Sequence, residues 1–440
     1  MFTRAEAQSV DGVRFEMSNL LEFQSGRNFT TEEENRERFF NQFILDVYPG
    51  NDVRLGLRFE VYRDSPPPEL FGNPIEEYEY NILSQRFVEW SGTYATGRVG
   101  NGYTIFGSGL VLRAFELPGV VRQSIFPTVS YSESRDIDGA FVDAWYGPFE
   151  VKFVHGLPVI DPEIPPEQAR RDRRGGSVTG GWGRVRPLDW FGIGGSFLRT
   201  DAIEPGVTTS MREDFGSVEA EFDPVTLLRP LVDIPVTLIG SVEYASRSWD
   251  PLDDGISTRT GDPHALYSNT QLAWATGAIG FETKDYHLFR SSVNDPPTLV
   301  PELTHRLLNR TTHVLDPNDE KGHQLSLGQS LPWWLGGGAL EAVHAASTGR
   351  REVVGEFVDP RDYEQAFVAI DSDARRAARL RLYFSDGKDE FEDLSKLRTV
   401  GGLTSVAFTD QLAAELDIGH QVRERVFFDD TIRSEDWAVV

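Results

Sequence analysis

The stretch that decides the fold is Val53-Arg54-Leu55-Gly56-Leu57-Arg58-Phe59-Glu60-Val61-Tyr62. Its odd positions are apolar without exception, and its even positions carry Arg54, Arg58 and Glu60. A period of two puts successive side chains on opposite faces of an extended strand, so this segment has one greasy face and one charged face. The same period runs through Val13–Phe23 and recurs at Phe149, Val151 and Phe153 against Glu150 and Lys152. It returns at Val218, Ala220 and Phe222 against Glu219 and Glu221, then at Leu380, Leu382 and Phe384 against Arg379, Arg381 and Tyr383, and finally at Leu412, Ala414, Leu416 and Ile418 against Glu415 and Asp417. About nineteen such segments span the chain. Helical periodicity is confined to two brief stretches, 165–174 and 301–308, read as loop helices.

Connections between the segments alternate in length. Short links are read at 49–52, 147–148, 187–190, 283–286, 333–337, 372–375 and 409–411. Long ones are read at 26–37, 64–78, 107–137, 157–175, 201–212, 248–268, 292–321, 350–361 and 386–397. The link at 223–234 is long where the alternation asks for a short one. A soluble sandwich has no need of that order, whereas a membrane barrel carries tight turns on one rim and long loops on the other. Tyr48, Tyr62, Trp90, Tyr146, Trp190, Tyr286, Trp333 and Trp334 lie near segment ends, where interfacial aromatic girdles belong. The expected fold is therefore all-β: a transmembrane antiparallel up-and-down β-barrel of about 18–20 strands, one domain over residues 1–440.

Composition narrows the alternatives. The 440 residues contain 43 basic and 69 acidic side chains, a formal net charge of −26, which excludes a nucleic-acid partner held by phosphate contacts. Only five of the cations are lysines. Zero cysteine removes disulfides, thiolate metal sites and cysteine nucleophiles. Aromatics at 12 % argue against disorder, and no apolar run approaches the length of a membrane helix. Ala5-Glu6-Ala7 has the small-x-small form that precedes a signal-peptidase cut, so residues 1–10 are read as an N-terminal extension. The sequence stops at Asp436-Trp437-Ala438-Val439-Val440, which reads as a strand cut short.

One block is more particular: Gly100-Asn101-Gly102-Tyr103-Thr104-Ile105-Phe106-Gly107-Ser108-Gly109-Leu110-Val111-Leu112-Arg113-Ala114-Phe115-Glu116. It is similar to a glycine-rich strand-end block of poorly characterised outer-membrane barrel families, and the whole chain resembles the porin-like outer-membrane β-barrels of bacteria with two membranes. That resemblance implies an outer-membrane location, contact with outer-membrane lipid and lipopolysaccharide, and passage of small hydrophilic solutes. The C-terminus departs from trimeric porins in lacking a terminal aromatic residue.

Chemistry is sparse. The eight histidines show no HExxH spacing, 316–322 lacks the turn glycine of a calcium loop, and Gly107-Ser108-Gly109 is not a nucleophile elbow. No enzyme activity, metal or cofactor is expected. If the apolar face meets lipid, the charged face lines a lumen, and the candidate lumen and constriction residues are Arg54, Arg58, Glu60, Arg113, Glu116, Arg122, Arg379 and Arg381. Residues 107–137 carry more apolar side chains than a surface loop can use, and are expected to fold inward. Two other readings stand beside the channel: an occluded barrel that docks another envelope protein, and a secreted soluble β protein that binds glycans or ions.

Overall fold

In the computed structural model the chain is one antiparallel meander. The structure describes the chain apart from residues 1, 11, 29–33, 66–68, 71–72, 75–78, 123–128, 159–175, 203–210, 230–234, 250–261, 290–292, 295, 298, 300–307, 309–318, 333–336, 350–351, 354–355, 358–359, 373–377, 410–411, 428–429 and 440. The first seven strands of the large sheet are β1 (Phe2–Val10), β2 (Val13–Asn28), β3 (Glu34–Tyr48), β4 (Val53–Ser65), β5 (Tyr80–Ser91), β6 (Ala95–Gly102) and β7 (Ile137–Tyr146). Next come β8 (Phe149–Pro158), β9 (Ser177–Leu188), β10 (Phe191–Ala202), β11 (Met211–Phe222), β12 (Val236–Trp249), β13 (His264–Trp274) and β14 (Gly277–His287). The last seven are β15 (Asp319–Ser330), β16 (Ala339–Gly349), β17 (Arg361–Asp371), β18 (Ala378–Asp389), β19 (Leu394–Thr409), β20 (Leu412–Phe427) and β21 (Asp430–Val439). Each strand pairs with the next, and the described residues include 21 strands in this sheet, a little above the expected number. Among the described residues no ladder joins β1 to β21, so the sheet is not closed edge to edge.

The decisive stretch, Val53–Tyr62, lies wholly within β4, and its two faces separate as the period requires. Leu57 and Phe59 are exposed, Arg58 and Glu60 are partly covered, and Tyr62 is buried. Around the sheet this becomes an inversion of the ordinary soluble pattern. Val151, Phe153, Phe197, Val218, Phe281, Leu325, Ile370, Leu382, Phe384 and Val400 are all exposed. On the opposite face Glu243 is 0 % exposed, Glu320 1 % and Lys284 3 %. A soluble protein does not hide carboxylates while presenting a continuous apolar band to water; a barrel in lipid does. No helix among the described residues is long and apolar enough to cross a membrane, which says nothing of strands.

The connections alternate as expected, with instructive exceptions. The short link placed at 283–286 is wrong, because those residues lie inside β14 and the turn is at 275–276. Lys284 and Tyr286 face the buried side of that strand, so polar character there signals the inner wall and not a turn. The long link placed at 386–397 is also wrong. Strand β18 continues to Asp389, whose carboxylate accepts from the Phe391 N–H at 3.2 Å, and a single 3-10 turn closes with Asp393 left-handed before β19. The long turn at 223–234 is explained by a helix the periodicity missed, α1 (Pro224–Leu228). Asp223 caps it by accepting from the Thr226 N–H and hydroxyl at 3.0 and 2.6 Å, and proline opens the first turn. Residues 1–10, read as an extension, supply strand β1, which pairs with β2. The first expected loop helix, 165–174, and most of the second, 301–308, lie outside the described residues.

The outward face is not uniform along the strands. Near the short-turn rim it carries exposed aromatics such as Trp90, Tyr146, Phe149 and Phe222. Toward the long-connection rim the same outward positions turn to ion pairs: Arg199 with Asp214, Arg212 with Asp201, Lys321 with Asp285, Lys388 with Asp362, and Arg398 with Asp386. Two residues expected in the girdle, Tyr62 and Tyr286, face inward instead; Tyr62 shares the parity of Arg58 and Glu60, and Tyr286 that of Lys284. Trp333 and Trp334 lie outside the described residues.

Candidate functional site

The inner wall is occupied by residues 104–116, the first part of the chain between β6 and β7. Thr104–Ile105 pairs with Arg113–Ala114, closing a small hairpin whose tip is Phe106 to Leu112. The tip holds itself with two backbone bonds, Phe106 N–H to Leu112 O at 3.0 Å and Gly109 N–H to Phe106 O at 2.8 Å. Gly107 and Gly109 both have positive φ, +55° and +93°, which is why a Gly-Ser-Gly tip is written here. Gly107 has a second reason to lack a Cβ, since that atom would strike the carboxylates of Glu219 and Glu243.

Those carboxylates come from the wall. Glu219 on β11 and Glu243 on β12 are directly opposed in register. Glu243 accepts from the Ser108 N–H at 2.7 Å, and Glu219 accepts from the Trp182 indole N–H at 2.9 Å. Around this polar seat Phe106, Leu110, Val111 and Leu112 bury completely against Val154, Val178, Leu198, Phe215, Ala245 and Ala265. These partners come from β8 to β13, so the sheet curls round the hairpin. Burying four such side chains is worth roughly 1.5–3 kcal/mol each relative to leaving them in water, enough to hold the segment against the wall.

A second segment locks the first. Asn294, 3 % exposed, lies between β14 and β15 in the chain; its amide donates to Leu110 O at 2.7 Å and Gly109 O at 3.4 Å, while its carbonyl accepts from the Arg113 N–H at 2.6 Å. The Tyr286 hydroxyl donates to Pro297 O at 2.8 Å, and Val293 and Leu299 join the same apolar cluster. Beneath them Lys284 and Glu320 form a buried ion pair across β14 and β15. Arg247 and Glu213 form another across β11 and β12. Asn101 donates to Asp136 at 2.5 Å where the segment leaves and rejoins the sheet.

The sequence candidates fall into two separate groups. Arg58 and Glu116 are brought together: the guanidinium on β4 grips the carboxylate just after the hairpin at 2.5 and 3.1 Å, tying the folded-in segment to the other flank of the sheet. Arg54 pairs with Asp46 at 3.0 Å and lies over the Phe87 ring, and Glu60 accepts from the Gln42 amide at 3.0 Å. The Arg113 side chain stacks on Phe115, while its N–H serves the Asn294 clasp. Arg379 and Arg381 lie elsewhere, near the short-turn rim, sharing Asp371, with Arg381 also on Glu341 at 2.6 Å. The backbone of Arg122 pairs with Val129, and its side chain is outside the described residues. Asn294 was missed, since a single asparagine in a long connection carries no periodic signal. Among the described residues no three His, Asp or Glu side chains gather as a metal site.

Residues 7–117 match a family model described as a family of unknown function (DUF6029). No curated protein matches. Among solved structures, Pseudomonas aeruginosa OpdQ is 10 % identical with a TM-score of 0.52, and the match covers 93 % of this chain and 100 % of that one. Pseudomonas aeruginosa OpdK with vanillate is 9 % identical with a TM-score of 0.52, over 93 % of this chain and 99 % of that one. A second structure of the same outer membrane protein, OpdK, gives 9 % identity and 0.50 over 92 % and 98 %. At such identity the likeness is one of fold, and the chain has the fold of the porin-like outer-membrane β-barrels.

Proposed function

We propose that this protein is a bacterial outer-membrane channel for passive diffusion of small hydrophilic solutes, narrowed by the hairpin at 104–114. The observation that carries the reading is the inversion of its faces, with exposed Phe and Leu outside and buried Glu, Lys and Arg inside. Diffusion needs no catalytic group, only a polar wall and a constriction of suitable width and charge. The fold shared with OpdK, whose solved structure holds vanillate, supports a solute-conducting role. Arg58, Glu116 and Arg113 stand around the hairpin and would set the field felt by a passing ion.

Planar-bilayer recording tests this. Purified protein should give discrete conductance steps, and Gly107→Val, which cannot seat the hairpin on Glu219 and Glu243, should raise their size. A second reading is favoured by one feature, the clasp of Asn294 on the hairpin: an occluded barrel that serves as a docking scaffold. Silence of the wild type with conduction by Gly107→Val would establish that alternative. Silence of both in folded protein would end the channel reading.

A further inference from the structure

The seat of the hairpin holds two acids and no base. Glu219 on β11 and Glu243 on β12 oppose each other in register, and both are buried. One oxygen of each comes within 3 Å of the point that a Cβ on Gly107 would occupy, so the two oxygens are no more than about 5 Å apart. Their partners are the Trp182 indole N–H and the Ser108 N–H, and among the described residues neither carboxylate forms an ion pair. The cations around them are engaged elsewhere. Arg184 on β9 grips Glu150 and Glu221, Arg186 shares Glu221, Arg247 on β12 holds Glu213, and Lys284 on β14 holds Glu320. Lys152 on β8 lies over the Trp182 ring, and Arg113 on the hairpin lies over Phe115. Strand β10 sets Gly194 opposite Glu219, and β13 sets Tyr267 opposite Glu243, with the tyrosine hydroxyl donated to Glu282. The Tyr286 hydroxyl goes to Pro297 O. Glu243 keeps one oxygen, Oε1, buried without a hydrogen-bond partner among the described residues.

Two carboxylates this close and shut away from water cannot both hold a charge cheaply. One proton shared by the pair removes a charge and supplies a donor to the stranded oxygen. A metal ion suits the seat less well: Gly107 stands over the space between the carboxylates, two N–H donors point at them, and among the described residues no third acid or histidine joins them. When the hairpin lifts, both carboxylates meet water and the need for that proton ends. The seated state therefore binds more protons than the lifted one. Seating is strongest at low pH and weakens as pH rises, by at most about tenfold in the seated-to-lifted ratio per pH unit for one proton. The six described histidines have outward parity, so none of them titrates at this seat.

We propose that Glu219 and Glu243 form a proton-linked latch: one shared proton holds the hairpin at 104–114 on the wall, and its loss at alkaline pH frees the hairpin and widens the lumen. The widening rests on the channel reading above, whereas the latch itself is read through Trp182, whose indole lies on Glu219. Two quantities are followed from about pH 5 to about pH 9 in lipid: single-channel conductance, and acrylamide quenching of Trp182 in a variant whose other tryptophans are phenylalanine. Both should rise about twofold toward alkaline pH and return on acidification. Glu219→Gln, whose amide imitates the protonated acid, should keep the acidic values at every pH, and so should Glu243→Gln, each in protein that shows a heat-shifted band on gels. Wild-type values that stay level, or fall as pH rises, overturn the latch. So does a pH response that survives in both glutamine variants. Acidic values restored at alkaline pH by millimolar calcium would mark a cation site and overturn it too. If quenching follows pH in protein that carries no current, the latch stands and the channel reading has failed; current with no pH response in either quantity keeps the channel and removes the latch.

Discussion

Leu57 and Arg58 are neighbours in the chain and opposites in environment. Leu57 is exposed on the apolar band, and Arg58 is covered on the inner side with its guanidinium on Glu116. Leu57→Arg should therefore cost about 2–4 kcal/mol of folding in bilayers if it lies near the midplane. Arg58→Leu should fold into the same barrel but leave Glu116 without its cation. That loosens the hairpin by roughly 1–3 kcal/mol, the cost of a stranded, partly buried polar group. Urea titration in lipid vesicles ranks the two, and a larger loss for Arg58→Leu would reverse the assignment of faces. This much was legible in the alternation of Val53–Tyr62, because period two ties every side chain of a strand to one face. What alternation could not say was which charged side chains meet: the partner of Arg58 lies 58 residues away in a segment with no period of its own.

Elements were legible where they repeat and obscure where they stop. The strands announce themselves, but Thr283-Lys284-Asp285-Tyr286 looks like a turn and is part of β14, with Lys284 and Tyr286 buried on its inner side. Polar composition marks solvent in a soluble protein and the inner wall in this one. Helix α1 is hidden for a different reason: the link at 223–234 reads as too long for its rim, but five helical residues are too few to show a 3.6-residue period. Its cap is testable. Asp223 is held below the usual carboxylate range because the Thr226 hydroxyl and N–H donate to it. A depressed carboxyl stabilises above its unfolded value, about 3.9, and loses that contribution as pH falls through the folded one. Asp223→Asn should keep most of the cap at neutral pH, whereas Asp223→Ala should cost about 0.5–2 kcal/mol. Hydrogen exchange at the α1 amides measures both, and equal protection in the alanine variant would mean that the cap does nothing. At the hairpin, Asn294→Ala removes three hydrogen bonds at once and frees the Leu110 and Gly109 carbonyls. It should increase current noise and mean conductance without changing assembly; a wild-type trace would assign the clasp a folding role only.

At the scale of the whole molecule the question is whether the exposed band truly faces hydrocarbon, since the net charge of −26 alone would suit a soluble acidic protein. Two tryptophans answer it. Trp90 is half exposed on the outward face of β5, and Trp182 is 6 % exposed on the inner face of β9, with its indole N–H on Glu219. The chain has nine tryptophans, so each must be read alone, in variants that keep one and replace the others by phenylalanine. In vesicles of lipids brominated on the acyl chain, Trp90 should be quenched strongly and Trp182 hardly at all, because heavy-atom quenching requires contact. In water-soluble acrylamide the order should invert only if the lumen admits the quencher to Trp182. The pair therefore reads two properties at once, the lipid-facing side and the openness of the interior. Equal quenching of both by brominated lipid would mean that the sheet lies on the membrane with neither face enclosed. Protection of Trp182 from both quenchers would mean that the hairpin and its clasp seal the barrel on that side.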